Sequence, residues 1–300
     1  MDRRYLMGLA MKRIYMIFIA ALAFAACDSS GLDQEQELVE VRLSFETSPS
    51  VKADSPLIPD VENLIHDLWI LQYDKMGLLI DAGTSHYRAG ATGLLAVQVT
   101  ATLAVGEGCT LCVLANIGSE VDGRMREWPQ TLTDFKRSTD VLDVSDDISA
   151  ANDGSLSDMP LSGYWEGDIT SGQKNIQVSL GRMFSRINLV VNNTSGTAYT
   201  VKSLTNVAAK VYAFPSVTHE PLPADAYTHI DIDQTVAAGD TKEMYFYMAP
   251  NFNDATGTNA VLLNIEGKDP VILCNGAPSD SPRDYNLYHN SNYTFTINIR

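Results

Sequence analysis

The side chains with chemical potential in this 300-residue sequence are few and scattered. Cys109 and Cys112 form a Cys-x-x-Cys pair, the spacing of redox dithiols and of half a zinc site. On a strand, positions three apart face opposite sides, so the expectation is two buried apolar side chains; Cys274 has no evident sequence partner. Asp231 and Asp233 stand two apart and would share a strand face, as a pair of glycosidase carboxylates could. Such pairs come from different elements about 5 to 9.5 Å apart, which leaves a solvated face as the expectation. The stretch from Asp143 to Asp158 offers hard oxygen ligands for calcium, yet its spacing fits no EF-hand loop and it reads as a solvated loop. His66, His86, His219, His229 and His289 lack His-x-x-x-His spacing, and there is no Gly-x-Ser-x-Gly or phosphate-binding glycine loop. Nothing here assembles a catalyst, so the protein is expected to be no enzyme and to need no cofactor or metal. Tyr164-Trp165 and the pair Tyr245 and Tyr247 could stack on sugars, although tyrosines in strand-rich proteins more often fill cores and rims.

The elements that would position these residues are strands. Val39, Val41, Leu43 and Phe45 alternate with Glu40, Arg42 and Ser44, the period of a half-buried strand. Thr47 to Pro59 has the composition of an exposed loop and carries one basic residue, Lys52. Leu64–Tyr73 is apolar on both faces, as in a central strand, and Asp74-Lys75-Met76-Gly77 turns it into Leu78–Ile80. Further strands are predicted over Leu94–Leu103, Thr110–Ile117, Met159–Trp165, Asn175–Leu180, Ile187–Val191 and Thr200–Val211. The last group is Met244–Met248, Ala260–Ile265, Val271–Cys274 and a closing run in which Tyr293, Phe295, Ile297 and Ile299 alternate. One short helix is expected near Thr131, carrying Leu132 and Phe135. Short alternating strands with Gly, Asn, Pro and Asp turns predict an all-β protein of two antiparallel β-sandwich domains.

Charge and the first residues bear on location. Lys and Arg total 21 against 37 Asp and Glu, a formal charge of -16, so a surface that neutralises phosphates is hard to build and nucleic acid is excluded as a partner. Met11-Lys12-Arg13 opens onto Ile14–Ala26, an uncharged run too short to span a bilayer and followed by a polar Cys-Asp-Ser-Ser-Gly, the layout of a secretory signal. Phe24-Ala25-Ala26-Cys27 resembles the lipobox of bacterial lipoproteins, in which the Cys becomes lipidated and N-terminal; an ordinary signal peptide ending near a chance Cys is the alternative. Residues 1–26 are then the signal and 27–36 a lipidated tether. Arg3, Arg4, Lys12 and Arg13 leave with the signal against Asp2 alone, so the exported body is more acidic still and is held to a membrane by acyl chains rather than by its surface.

Seven stretches together resemble the fimbrillins, the type V pilus subunits of Bacteroides-type bacteria. They are the lipobox ending at Cys27, the strand around Val39–Phe45, Ile65-His66-Asp67-Leu68-Trp69-Ile70-Leu71-Gln72-Tyr73-Asp74, Leu111–Gly118 with Ala115-Asn116, Leu180-Gly181-Arg182 to Val191, Tyr245-Phe246-Tyr247-Met248-Ala249-Pro250-Asn251, and Asn292-Tyr293-Thr294-Phe295. The resemblance implies two transthyretin-like antiparallel β-sandwich domains, over 37–178 and 179–300. It also implies lipoprotein export to the outer membrane, cleavage by a trypsin-like protease after the first strand, where Lys52 stands, and assembly with other pilus subunits by strand exchange.

Loss of the strand would uncover the partners of Val39, Val41, Leu43 and Phe45 at ~1.5 to 3 kcal/mol each, so a neighbour's strand would be drawn into the vacated groove. The sequence stops at Arg300, just after its last strand, without the donor segment of shaft subunits, which gives the expectation of a tip or accessory subunit at the cell surface with a host or bacterial receptor. The competing expectation is a monomeric surface lipoprotein that binds glycans.

Overall fold

Alternating apolar and polar side chains, rich in β-branched and aromatic types, put most of the chain into strands. The computed structural model describes residues 36–47, 64–80, 86–94, 96–117, 131–132, 142–156, 158–212, 220–254, 256–274 and 284–300, and Leu38–Arg300 forms one compact unit. The first strands are β1 (Leu38–Thr47), β2 (Ile65–Tyr73), β3 (His86–Leu94), β4 (Ala96–Ala104), β5 (Gly106–Ala115), the two-residue β6 (Leu142–Asp143), β7 (Leu161–Ile169) and β8 (Asn175–Arg182). They pair in the order β3-β2-β5-β7-β8-β1-β4, but β7 and β8 meet only at Leu161 with Arg182 and Ser162 with Gly181. The ladder therefore folds into two layers joined at this seam, where a side chain on Gly163 would collide with the Ser179 carbonyl. Both layers feed one core: Leu68 and Val113 from one side, Leu43, Phe45, Leu103 and Val178 from the other.

The chain then continues through Met183 and Phe184 into β9 (Ser185–Asn193), β10 (Tyr199–Ala208), β11 (Lys210–Val211), a 3₁₀ turn at Ala224–Ala226, β12 (Tyr227–Val236), β13 (Thr241–Met248), β14 (Leu262–Ile265), β15 (Val271–Ile272) and β16 (Asn292–Ile299). A three-stranded sheet, β13-β9-β16, and a four-stranded one, β12-β10-β14-β15, share a second core around Leu189, Leu204, Phe246 and Leu263. β8 runs past residue 178 to Arg182, and β6 pairs with β11, so segments from either side of residue 178 are tied together.

The all-β expectation is met, but several assignments change. The sheets are not purely antiparallel: β1 runs parallel to β8, and β16 parallel to β9. β3 and β12 are not among the predicted strands, although Asp231 and Asp233 are expected on a solvated strand face; β3 is hidden by glycines and alanines and β12 by six polar residues among its ten. The aspartate-rich stretch is no loop. It folds as helix α1 (Ser145–Asp153), with Asp146 and Asp147 in its electropositive first turn and Gly154 closing it at φ 80°. Val144, Ile148 and Ala151 pack on the first core. Thr131 and Leu132 lie against the hairpin at Gly77, and Phe135 is outside the described residues.

Two side-chain amides close sheet edges. Gln72, fully buried on β2, donates from Nε2 to the Ala104 carbonyl and accepts from the Ala104 N–H, both at 2.8 Å, and so stands in for a missing strand beyond β4. Asn152 of α1 holds the outward N–H and C=O of Tyr247 on β13 in the same way, at 2.8 and 2.9 Å. Gln72→Leu leaves both Ala104 groups unpaired in a buried site and is expected to lower unfolding stability by about 2 to 4 kcal/mol. Urea unfolding followed by far-UV circular dichroism checks this; an unchanged midpoint would show that the clip carries no weight.

Candidate functional site

The site is built on β1. Its even-numbered residues turn their backbone groups toward β8, beginning with the Arg42 N–H donating to the Lys174 carbonyl at 2.9 Å. Its odd-numbered residues turn theirs toward β4, with nine residue pairs from Leu38–Ala104 to Glu46–Ala96. β1 is therefore hydrogen-bonded on both flanks, antiparallel on one and parallel on the other, although it lies close to the start of the sequence. Its inward face carries Val41, Leu43 and Phe45, each wholly buried, and Val39, which is half-buried. Glu40, Arg42 and Glu46 point outward and are exposed, and Glu46 accepts a hydrogen bond from the Gln177 side chain at 3.0 Å.

Burial of the three inner side chains is worth roughly 5 to 9 kcal/mol. That is comparable to the whole net stability of an ordinary domain, so the rest of the first core depends on an occupant in this slot. The floor is apolar, with Val97, Leu103, Ile176 and Val178 on the flanking strands in the same core.

The slot has a defined end. The edge of β8 that β1 covers continues along the chain into β9, since the Phe184 carbonyl accepts from Asn290 N–H and the Arg186 N–H donates to the Ser291 carbonyl, both at 2.9 Å. From Asn292 onward β16 takes this edge over. The opposite edge is met by the β7 side, where the Met183 N–H donates to the Pro160 carbonyl. β1 and β16 thus lie one after the other along a single extended spine, and the segment Asn290–Ser291 closes the slot beyond Thr47 and Leu180.

Of the site residues read from the sequence, Val39, Val41, Leu43 and Phe45 share this inward face, whereas Cys27 and Lys52 lie outside the described residues. The sequence reading missed Gln72, Asn152 and Asn290. Gln72 was detectable as the lone polar residue in the apolar run Leu68–Tyr73.

The alternative chemistries do not come together. Cys109 and Cys112 are both buried, because β5 is covered on both faces, and burial pushes the Cys109 thiol up. A bulge between Asp231 and Gln234 breaks the alternation that a shared carboxylate face needs. Asp231 faces His229 at 3.7 Å while Asp233 faces Lys202 at 3.4 Å. His66 Nε2 lies 2.9 Å from Asp158 Oδ1 near the start of β2, a half-exposed pair. Tyr164 is exposed whereas Trp165 packs on the first core, so the two rings cannot grip one sugar. Tyr245 and Tyr247 share a face, but the Arg186 guanidinium sits over Tyr245 at 4.5 Å from the ring centre. Among the described residues no group of three or more His, Cys, Asp or Glu gathers as a metal site, and no helix is long and apolar enough to cross a membrane.

No protein-family model and no curated protein matches the sequence, but solved structures share the fold. The tip fimbrial protein Mfa3 from Porphyromonas gingivalis, with C-terminal truncation, superimposes with a TM-score of 0.54 at 15% identity, over 86% of this chain and 94% of that one. A fimbrilin (FimA) from the same species gives 0.50 at 12% identity, over 86% and 89%. The chain has the fold of fimbrial proteins over most of its length.

Phe45→Ala empties the slot's largest pocket and is expected to cost about 3 to 5 kcal/mol, against less than about 0.5 for Glu40→Ala on the exposed face. Denaturant unfolding of both variants checks this, and equal midpoints would show a core packed without the strand. A thiol reagent should modify half-exposed Cys274 in the folded protein and reach Cys109 and Cys112 only after denaturation; prompt native labelling of either would contradict their burial.

Proposed function

We propose that this protein is a non-enzymatic fimbrial subunit with an adhesive or structural role. It is exported as a lipoprotein through Cys27, cleaved at Lys52 and assembled with other subunits by replacing β1 with a neighbour's strand. The observation that supports this most is the placement of β1: a strand near the chain start, bonded on both flanks, whose three buried side chains fill the first core. Lys52 follows Thr47, the last residue of β1, by five positions, so a cut there separates the strand from the body without breaking its ladder. Once freed, β1 is held only by non-covalent contacts and can be exchanged. An emptied slot would expose apolar pockets between two unpaired strand edges, a template for an extended segment with alternating apolar residues.

In this reading each core with its sheets is one transthyretin-like β-sandwich domain, over about 37–178 and 179–300. The fold shared with fimbrial proteins supports a place at the bacterial surface, tethered to the outer membrane by lipid at Cys27. Whether the subunit stands at the tip or within the shaft follows from which segments it can donate. Mixing cleaved protein with a shaft subunit reads this out directly, since a tip or accessory subunit would cap the growing fibre.

Limited trypsin digestion tests the core of the proposal. Cutting should be confined to Lys52, be abolished by Lys52→Gln, and be followed by concentration-dependent multimers from which residues before the cut are missing. A cleaved protein that keeps β1 and stays monomeric would overturn it.

A further inference from the structure

Among the described residues, the sheet edges of β4, β12, β13 and β15 are guarded and that of β16 is not. β4 is clipped by Gln72, and β13 is clipped by Asn152 and carries Lys242 and Glu243. β12 holds Asp231 and Asp233 and is bent by a bulge of its own, with Asp233 at φ 44°, and by a second in its partner β10 at Asn206. β15 is two residues long and follows Pro270. These are the devices by which proteins prevent strangers from pairing with a sheet. β16 has none of them. Its eight residues, Asn-Tyr-Thr-Phe-Thr-Ile-Asn-Ile, include no charge and no proline, and its ladder with β9 runs through eight consecutive pairs without a bulge.

Among the described residues no strand pairs with the other side of β16. The Thr194 N–H bonds the Ile299 carbonyl and the Arg186 N–H bonds that of Ser291, so odd-numbered residues of this segment face β9. The N–H and C=O groups of Thr294, Thr296 and Asn298 point the opposite way, and their side chains are exposed. Phe295 and Ile297, on the core face, are only partly covered. In the first core the strand in the equivalent place, β1, has β4 running antiparallel along its far side; beside β16 that position is vacant among the described residues.

We propose that β16 is a self-association edge, where a second copy of this chain adds its own β16 antiparallel across a two-fold axis. The strand supplies what the vacant position needs, which is alternating apolar residues and no charge. With the axis at Thr296, Phe295 of one copy falls beside Ile297 of the other, covering the two half-exposed side chains, while on the outer face Thr296 meets Thr296 and each Thr294 meets Asn298. Charge selects this strip. The chain carries a formal -16, so two copies repel over most of their surface and can meet without apposed like charges along β16. Lys268, which donates to the Arg300 carbonyl, marks one end of the strand, and Asp284 lies within electrostatic reach of Tyr293 at the other. Antiparallel pairing brings the basic end of each copy toward the acidic end of its partner.

Sedimentation velocity of the uncleaved full-length chain in mild detergent, across the micromolar range, tests the proposal. β1 stays in place throughout, so the outcome is independent of the strand-exchange reading. The expected result is a concentration-dependent dimer that Thr296→Lys and Thr294→Lys each weaken by roughly tenfold or more, while the thermal unfolding of the dilute monomer is unchanged. A chain that remains monomeric, whatever other subunits it binds, overturns the proposal. So does a dimer that persists undiminished in both variants.

Discussion

The architecture rests on the hydrogen-bonding demand of one extended stretch, Asn175 to Asn193, which passes from the first core into the second. Its backbone groups point alternately to two edges, and each edge must be matched inside a protein interior where an unpaired amide is costly. From Gly181 onward one edge is served by β7 and then β13. The other is served by β1 and then β16, both parallel to the spine and drawn from near opposite ends of the sequence. Everything else packs against a frame whose alignment is fixed by this shared strand.

This frame explains why amide side chains recur at the structure's weak points. Gln72 and Asn152 stop sheets where no further strand is present. Asn116, held at φ 61°, donates to the carbonyls of Leu64 and Met159 while accepting from the His66 N–H, tying the end of β5 to the start of β2. Asn193 donates to the carbonyls of Thr197, Val236 and Ala237 at the corresponding turn of the second core. A carboxamide carries a donor and an acceptor in the geometry of a peptide group, so it can finish a ladder that the main chain leaves incomplete.

Much of this was legible in the sequence because period two is a local property. The inward face of β1, the central character of β2 and β5, and the closing strand could be read from alternation alone. Pairing partners could not. Whether β1 sits between β4 and β8, and in which sense, depends on contacts from 50 to 133 residues apart that no local pattern encodes. β12 escaped because both of its faces carry polar residues, and α1 because its apolar stripe amounts to Ile148 and Ala151. Of the amide clips only Gln72 was detectable, as a polar residue in an apolar run; an asparagine in a turn and one closing a sheet edge look alike until the fold brings them to their targets.

The opposed directions of β4 and β8 bear on how any occupant of the first slot is oriented. Turning such a segment end for end exchanges a parallel ladder for an antiparallel one on one side and does the reverse on the other, so main-chain bonding is nearly indifferent to its heading. The vector must instead be read from the graded sizes of the buried Val41, Leu43 and Phe45 side chains, small at one end and large at the other. Polarity in a chain of such molecules would then be written in side-chain volume.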